Sequence, residues 1–323
     1  MKGSKIWLII AVLMLVSGLG LAAIGTANGG TWKMRFDLKD FKVKTADSEE
    51  YVNKTEIVDE FSTIKVITST VDINIENGDK YSVTYYVPED KIPEIRCENG
   101  VLTVDTNESN SVSIFNFGFF TDDKNPYITI TTPSTEAGNK LDVRSSTGDI
   151  KVTGLGFDGN IKTSTGDVSV SHGFIKDGYI KTSTGDITVD YISSENIETE
   201  TSTGEFKLSH SIVNRKLTSD TSTGDIQLNQ NTINYFGVEG STSDITVLAS
   251  EIDKIDIKTS TGEVELELKG SDSYYNFDLH TSTGDIRIGN QEFEKSYKKD
   301  FTDDKNYVNV KTSTGDIDID FVK

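Results

Sequence analysis

The sequence predicts an all-β chain wound as a parallel β-solenoid of about 18–20 residues per coil. The phrase Ser-Thr-Gly-Asp, or a close variant, recurs nine times, starting at Ser146, Ser164, Ser183, Ser202, Ser222, Ser241, Ser260, Ser282 and Ser313. A period of this length marks a repeat architecture, in which each unit buries its apolar face only against its neighbours. Around every phrase, large apolar residues alternate with polar ones, the two-residue period of a half-buried strand. The turn itself supplies the third observation. A two-residue hairpin loop needs a positive φ at both central residues, which a β-branched Thr resists. A type II turn asks for an extended residue followed by Gly, and so selects parallel coils over hairpins.

From the N-terminus, residues 1–5 read as a cytoplasmic tip and residues 6–24 as a transmembrane signal-anchor helix. The run IWLIIAVLMLVSGLGLAAI is long enough to cross roughly 30 Å of hydrocarbon. Lys2 and Lys5 precede it, so the positive-inside rule leaves the repeats outside the cell. The alternative is a secreted chain, cleaved as a signal peptide near Ala27, where Gly25-Thr26-Ala27 offers a small-x-small site. Residues 25–54 are polar and weakly patterned, an extracellular stalk. The aromatic run at 115–120 (FNFGFF) reads as an end cap or an exposed adhesive patch.

Residues 55–140 form a diverged β region. Ser69-Thr70-Val71-Asp72 fits the repeat frame as a tenth copy, with Ile64, Val66 and Thr68 before it and Ile73 and Ile75 after it. Strand-like runs follow at 81–87, 101–105 and 127–131. The regular repeats occupy 141–323. Counting from each Ser, the residues four and six places on are large and apolar in every copy, from Ile150 and Val152 to Ile317 and Ile319. One, three and five places before it lies a face that is apolar and then small, as in Ile255, Ile257 and Thr259. The turn glycines are Gly148, Gly166, Gly185, Gly204, Gly224, Gly262, Gly284 and Gly315, and Ser243 stands in for Gly in the sixth copy, where strain is expected. Both Thr of Thr-Ser-Thr are expected to turn inward, which argues against an ice-binding face. Phe293, Tyr297 and Phe301 recur every four residues in the insertion 289–306, which suggests a short capping helix or a partner-binding arm.

Charge and residue chemistry exclude several functions. Against 32 basic residues stand 52 acidic ones, a formal net charge of −20 that repels nucleic acid and anionic lipid and attracts cations and basic partners. The single Cys97 makes no internal disulfide and reads as a small buried hydrophobe. His172 and His210 share a phase two coils apart, too far for one shared metal, and His280 is the only other His. The residue after each turn is acidic. Asp149, Asp167, Asp186, Asp225, Asp285 and Asp316 are candidate Ca²⁺ ligands in a stacked row. The competing account is a turn carboxylate bonded to nearby backbone N–H groups or hydroxyls. No other cofactor is expected, and no catalytic set stands apart from the repeated acids.

The phrases LDVRSSTGDIKV (141–152) and IKTSTGDITV (180–189) resemble the DUF4097 family of bacterial β-strand-repeat proteins, also labelled adhesins and including LiaG-like envelope proteins. The resemblance covers roughly residues 55–323. It implies a β-solenoid at the cell envelope and carries over no catalytic residues. The functional expectation is a non-enzymatic, membrane-anchored binding, adhesion or envelope-stress scaffold surface, with an envelope protein or glycan as partner. Two alternatives stand beside it: a carbohydrate-active enzyme on a β-helix, and a structural protein that self-associates through the strand at 317–321.

Overall fold

The structure, a computed structural model, describes residues 34–37, 42–45, 51–106, 125–133, 139–300 and 306–323. Two compact units are distinguished. In the smaller, Met34–Asp37 and Lys42–Thr45 pair as an antiparallel ribbon within the residues read as a stalk. Among the described residues no helix is long and apolar enough to cross a membrane, and the apolar run at 6–24, the aromatic run at 115–120 and Phe301 lie outside them.

The larger unit is the β-solenoid. Each coil lays one strand on a first sheet before the Ser-Thr-Gly-Asp phrase and one on a second sheet after it, so the phrase is the corner between the sheets. Phe174–Thr184 leads into Ile187–Asp190, for example, and pairs in parallel with Ser193–Thr203 of the next coil. The side chains four and six places after each Ser all have 9% or less of their surface exposed. Burying each contributes about 1.5–3 kcal/mol, and the stacked columns form one continuous core.

The phrase is built differently from a type II turn. Seven of its glycines have φ between +137° and +157°, and the N–H groups of six of them, all but Gly284, bond across to the neighbouring coil, as Gly185 does to the Thr203 carbonyl at 3.1 Å. The corner thus keeps coil-to-coil pairing running through the turn. A side chain at Gly185 would place its Cβ 2.1 Å from the Gly166 carbonyl oxygen, so close stacking as well as φ demands Gly. Ser243 escapes the expected strain because its φ is not positive; its side chain turns into the core instead, where its hydroxyl has no hydrogen-bond partner. Only the first Thr of Thr-Ser-Thr faces inward. Thr182 is fully buried, whereas Thr184 and the equivalent Thr of every other copy are exposed, because the chain bends between them.

The order of coils departs from the order of sequence at both ends. The tenth copy, Thr63–Ile67 and Asp72–Asn77, pairs on one side with Asn139–Arg144 and Ile150–Thr153. On its other side lie Val101–Asp105 and Tyr127–Thr132, which come later in the chain yet form the outer coil. The far end repeats the device. Asn306–Thr314 and Ile317–Val322 slot between the coil ending in Val264–Lys269 and the coil Tyr275–Thr283 plus Ile286–Ile288. The strand at 317–321 is therefore paired along its length on one side and through Ile317–Ile319 on the other, so it is not the open terminal edge that was expected.

Antiparallel strands close the ladders. Ser82–Pro88 and Glu94–Glu98 cover one end. At the other end Gln291–Phe293 and Ser296–Lys299 cover the second and first sheets, where a helix was expected. A strand satisfies the open N–H and C=O groups of a terminal coil, and a helix does not. The spacing of Phe293 and Tyr297 reflects one ring from each strand, with centroids 4.1 Å apart.

Candidate functional site

At the phrase corner, two side-chain ladders hold adjacent coils together. The inward Thr donates to a glycine carbonyl next door, as Thr182 Oγ1 does to Gly166 O at 3.1 Å. Each aspartate reaches the other way: Asp149 Oδ1 accepts the Asp167 N–H, Asp167 that of Asp186, and Asp186 that of Glu205, each at 2.8 Å. Asp225 accepts from Asp244 at 3.2 Å, and Asp316 from Asp285 at 2.9 Å, which also confirms the out-of-order coil. Five of the six candidate cation ligands thus spend an oxygen on a neighbouring backbone, and Asp285 supplies the N–H at the end of its row. Glu205, one methylene longer, pairs with Lys207 instead. Among the described residues no three His, Cys, Asp or Glu side chains converge to hold a metal.

The opposite corner carries residues in the left-handed region: His172, Tyr191, His210, Gln230 and Ala249 have φ between 47° and 57°. His172, Tyr191 and His210 stack, with centroids 5.4 and 4.5 Å apart, and His210 Nδ1 lies 3.1 Å from Asp190 Oδ1. Tyr191 separates the two imidazoles. Cys97 is half-buried rather than fully buried; its thiol donates to the Asp59 carbonyl at 3.4 Å, and burial pushes its pKa up.

A concave surface that the sequence reading did not single out lies on the first sheet. Successive phrases from Ser146 to Ser260 start 18, 19, 19, 20, 19 and 19 residues apart. The additional residues are absorbed as bulges in the first sheet, where Phe157/Gly159, Ser194/Asn196 and Val213/Leu217 shift register. A bulge bends its strand and re-aims side chains. Beside them, on the outer face, lie two adjoining cavities of about 350 and 390 Å³ that share Glu198, Lys216 and Thr218, and so form one trough. Gly159, Gly178 and Gly237 keep its floor low.

Two tyrosines stand in the trough, each with an ammonium over its ring. Lys162 Nζ is 4.7 Å from the Tyr179 centroid, and Lys216 Nζ is 5.7 Å from that of Tyr235. Tyr235 lies against Gly237, where any Cβ would come within 2.9 Å of the ring. The Tyr179 hydroxyl and the Lys181 ammonium both donate to Glu200; burial and that bond push the phenol well above its ordinary range. Amides bridge coils, as Asn196 Nδ2 donates to Asp177 Oδ1 at 2.6 Å and Asn309 Nδ2 to Asp256 Oδ1 at 3.1 Å. The side chains of Glu198 and Asp220 make no hydrogen bond or ion pair among the described residues. Burial, then the charges of Glu239, Glu198 and Glu200, push the Asp220 carboxyl up, and Lys216 opposes the shift.

The family model described as Toastrack DUF4097 matches residues 61–320, which span the parallel two-sheet solenoid. The chain belongs to the DUF4097 family. No curated protein matches it. Solved structures similar to this DUF4097 chain include a putative adhesin from Bacteroides fragilis, 15% identical, covering 85% of this chain and 98% of its own, with a TM-score of 0.42. A putative lipid binding protein from Parabacteroides distasonis is 16% identical over 85% of this chain and 98% of its own, with a TM-score of 0.45. A putative adhesin from Parabacteroides distasonis is 12% identical over 68% of this chain and 98% of its own, with a TM-score of 0.39.

Proposed function

We propose that this chain is a non-enzymatic binding surface on the outside of the cell, tethered by the apolar segment at 6–24, with the bulged trough as its ligand-facing side. The observation that carries this reading is the trough itself: exposed side chains of mixed chemistry on a scaffold whose backbone groups are already paired from coil to coil. A rigid sheet holds such side chains at fixed spacing, which suits recognition of an extended ligand.

The test uses the full chain with a C-terminal tag. It should sediment with membranes, and protease added to intact cells should remove the tag. A tag that stays protected, or a chain found in the soluble cytosol, would overturn the placement. Six carboxylates line the trough (Asp158, Asp177, Glu198, Asp220, Glu239 and Asp256), the side chains a glycan-cleaving enzyme would use. Cleavage of wall and host glycans is therefore assayed in parallel, and turnover abolished by one carboxylate substitution would replace binding by catalysis.

A further inference from the structure

We infer that the trough takes a linear glycan carrying free amino groups; the inference rests on the trough being the ligand-facing side. Its dimensions call for an oligomer. From Asp158 to Asp256 the lining residues come from six successive coils, five steps of about 4.8 Å, so the trough runs on the order of 24 Å along the stack.

The lining selects the ligand's chemistry. Backbone N–H and C=O groups of the first sheet are bonded between coils, so an added peptide strand finds no edge to pair with here. What faces outward is a set of planar acceptors and amides (Asn160, Asn196 and the carboxylates) beside two tyrosine rings, groups that match paired hydroxyls and the apolar face of a sugar ring.

Charge narrows the class further. Six lining carboxylates face two lining lysines, Lys216 and Lys258. An anionic polymer is repelled, and an ammonium on the ligand is drawn toward Glu198 and Asp220, whose side chains are in no ion pair among the described residues, Lys216 acting on Asp220 only at longer range. The rings show where such an ammonium can sit, because Lys162 and Lys216 already occupy those faces. Lys216 is exposed and shared by both cavities, so it acts as a placeholder that the ligand's amine displaces.

The experiment measures binding of glucosamine hexamer to the full chain in detergent, beside the N-acetylated hexamer and hexalysine. The glucosamine hexamer should bind, and the other two should be weaker by about tenfold or more, because one lacks the charge and the other the sugar rings. Tyr235→Ala and Asp220→Asn should each weaken it by about tenfold, whereas Tyr235→Phe, which keeps the ring, should retain it. Lys216→Ala should tighten binding, and Lys151→Ala on the second sheet should not. Equal binding of the N-acetylated hexamer, equal or tighter binding of hexalysine, indifference to all trough substitutions, or no binding of the glucosamine hexamer would each overturn the assignment. Surface placement is read separately by the protease experiment, so a misassigned ligand and a misassigned location give different results.

Discussion

Thr182 and Asp186 sit four residues apart and tie one coil to both its neighbours. The Thr hydroxyl donates backward to Gly166, while the Asp carboxylate accepts forward from the Glu205 N–H. Asp186→Asn keeps an acceptor oxygen and should change stability by less than about 0.5 kcal/mol, whereas Asp186→Ala should cost about 1 kcal/mol in denaturant unfolding. Asp72 begins the row and behaves differently with pH. Burial raises its pKa, the Asp149 N–H opposes that, and the Asp149 charge adds to it. A raised carboxyl pKa means the fold favours the protonated form, so stability is lost as pH rises from the ordinary aspartate value through the raised one. Asp72→Asn should therefore raise the melting temperature at neutral pH and leave it unchanged below about pH 3.9. A larger gain at low pH would contradict this.

At the scale of the element, the corner opposite the phrase tolerates non-glycine residues in the left-handed region. Ala249, with φ of 47°, makes no aromatic stack to offset that conformation, unlike Tyr191. Ala249→Gly should stabilise the fold by about 1 kcal/mol, seen as a higher melting temperature. The strands and core were legible because burial imposes a two-residue period that repeats in every copy. The inward Thr was legible for the same reason. The outward turn of the second Thr was not, since strand parity ends where the chain bends. Cap type was hidden by a coincidence of spacing at Phe293 and Tyr297. The trough had a faint signal: coil lengths rising from 18 to 20 residues place bulges near Asp158, Asp177, Asn196 and Lys216, although outward positions carry no period of their own.

For the whole molecule, coil order is what local sequence does not encode. The phrases at Ser260, Ser282 and Ser313 are nearly identical, so each could stack on either of the others. The structure resolves the choice through contacts specific to the end. Arg287 Nη2 binds Asp320 at 3.0 Å and its Nε binds Asp318 at 2.9 Å, clamping the outer coil to the later-made one. Deleting residues 306–323 should thus do more than trim an end. It removes the layer beneath the outer coil, and hydrogen exchange should show protection lost across 275–299 as well; protection retained there would argue against the inserted coil.

The inserted coil also has a consequence for timing. On the export route proposed above, the residues nearest the anchor emerge first, and stacked coils can form one upon another as they appear. Here the coil at 275–288 has its antiparallel caps at 291–299 but no coil beneath it to stack on until residues 306–323 have followed. Completion at that end is therefore a single late event, a keystone step, and an export arrest placed before residue 306 should leave a protease-sensitive tail on an otherwise finished stack.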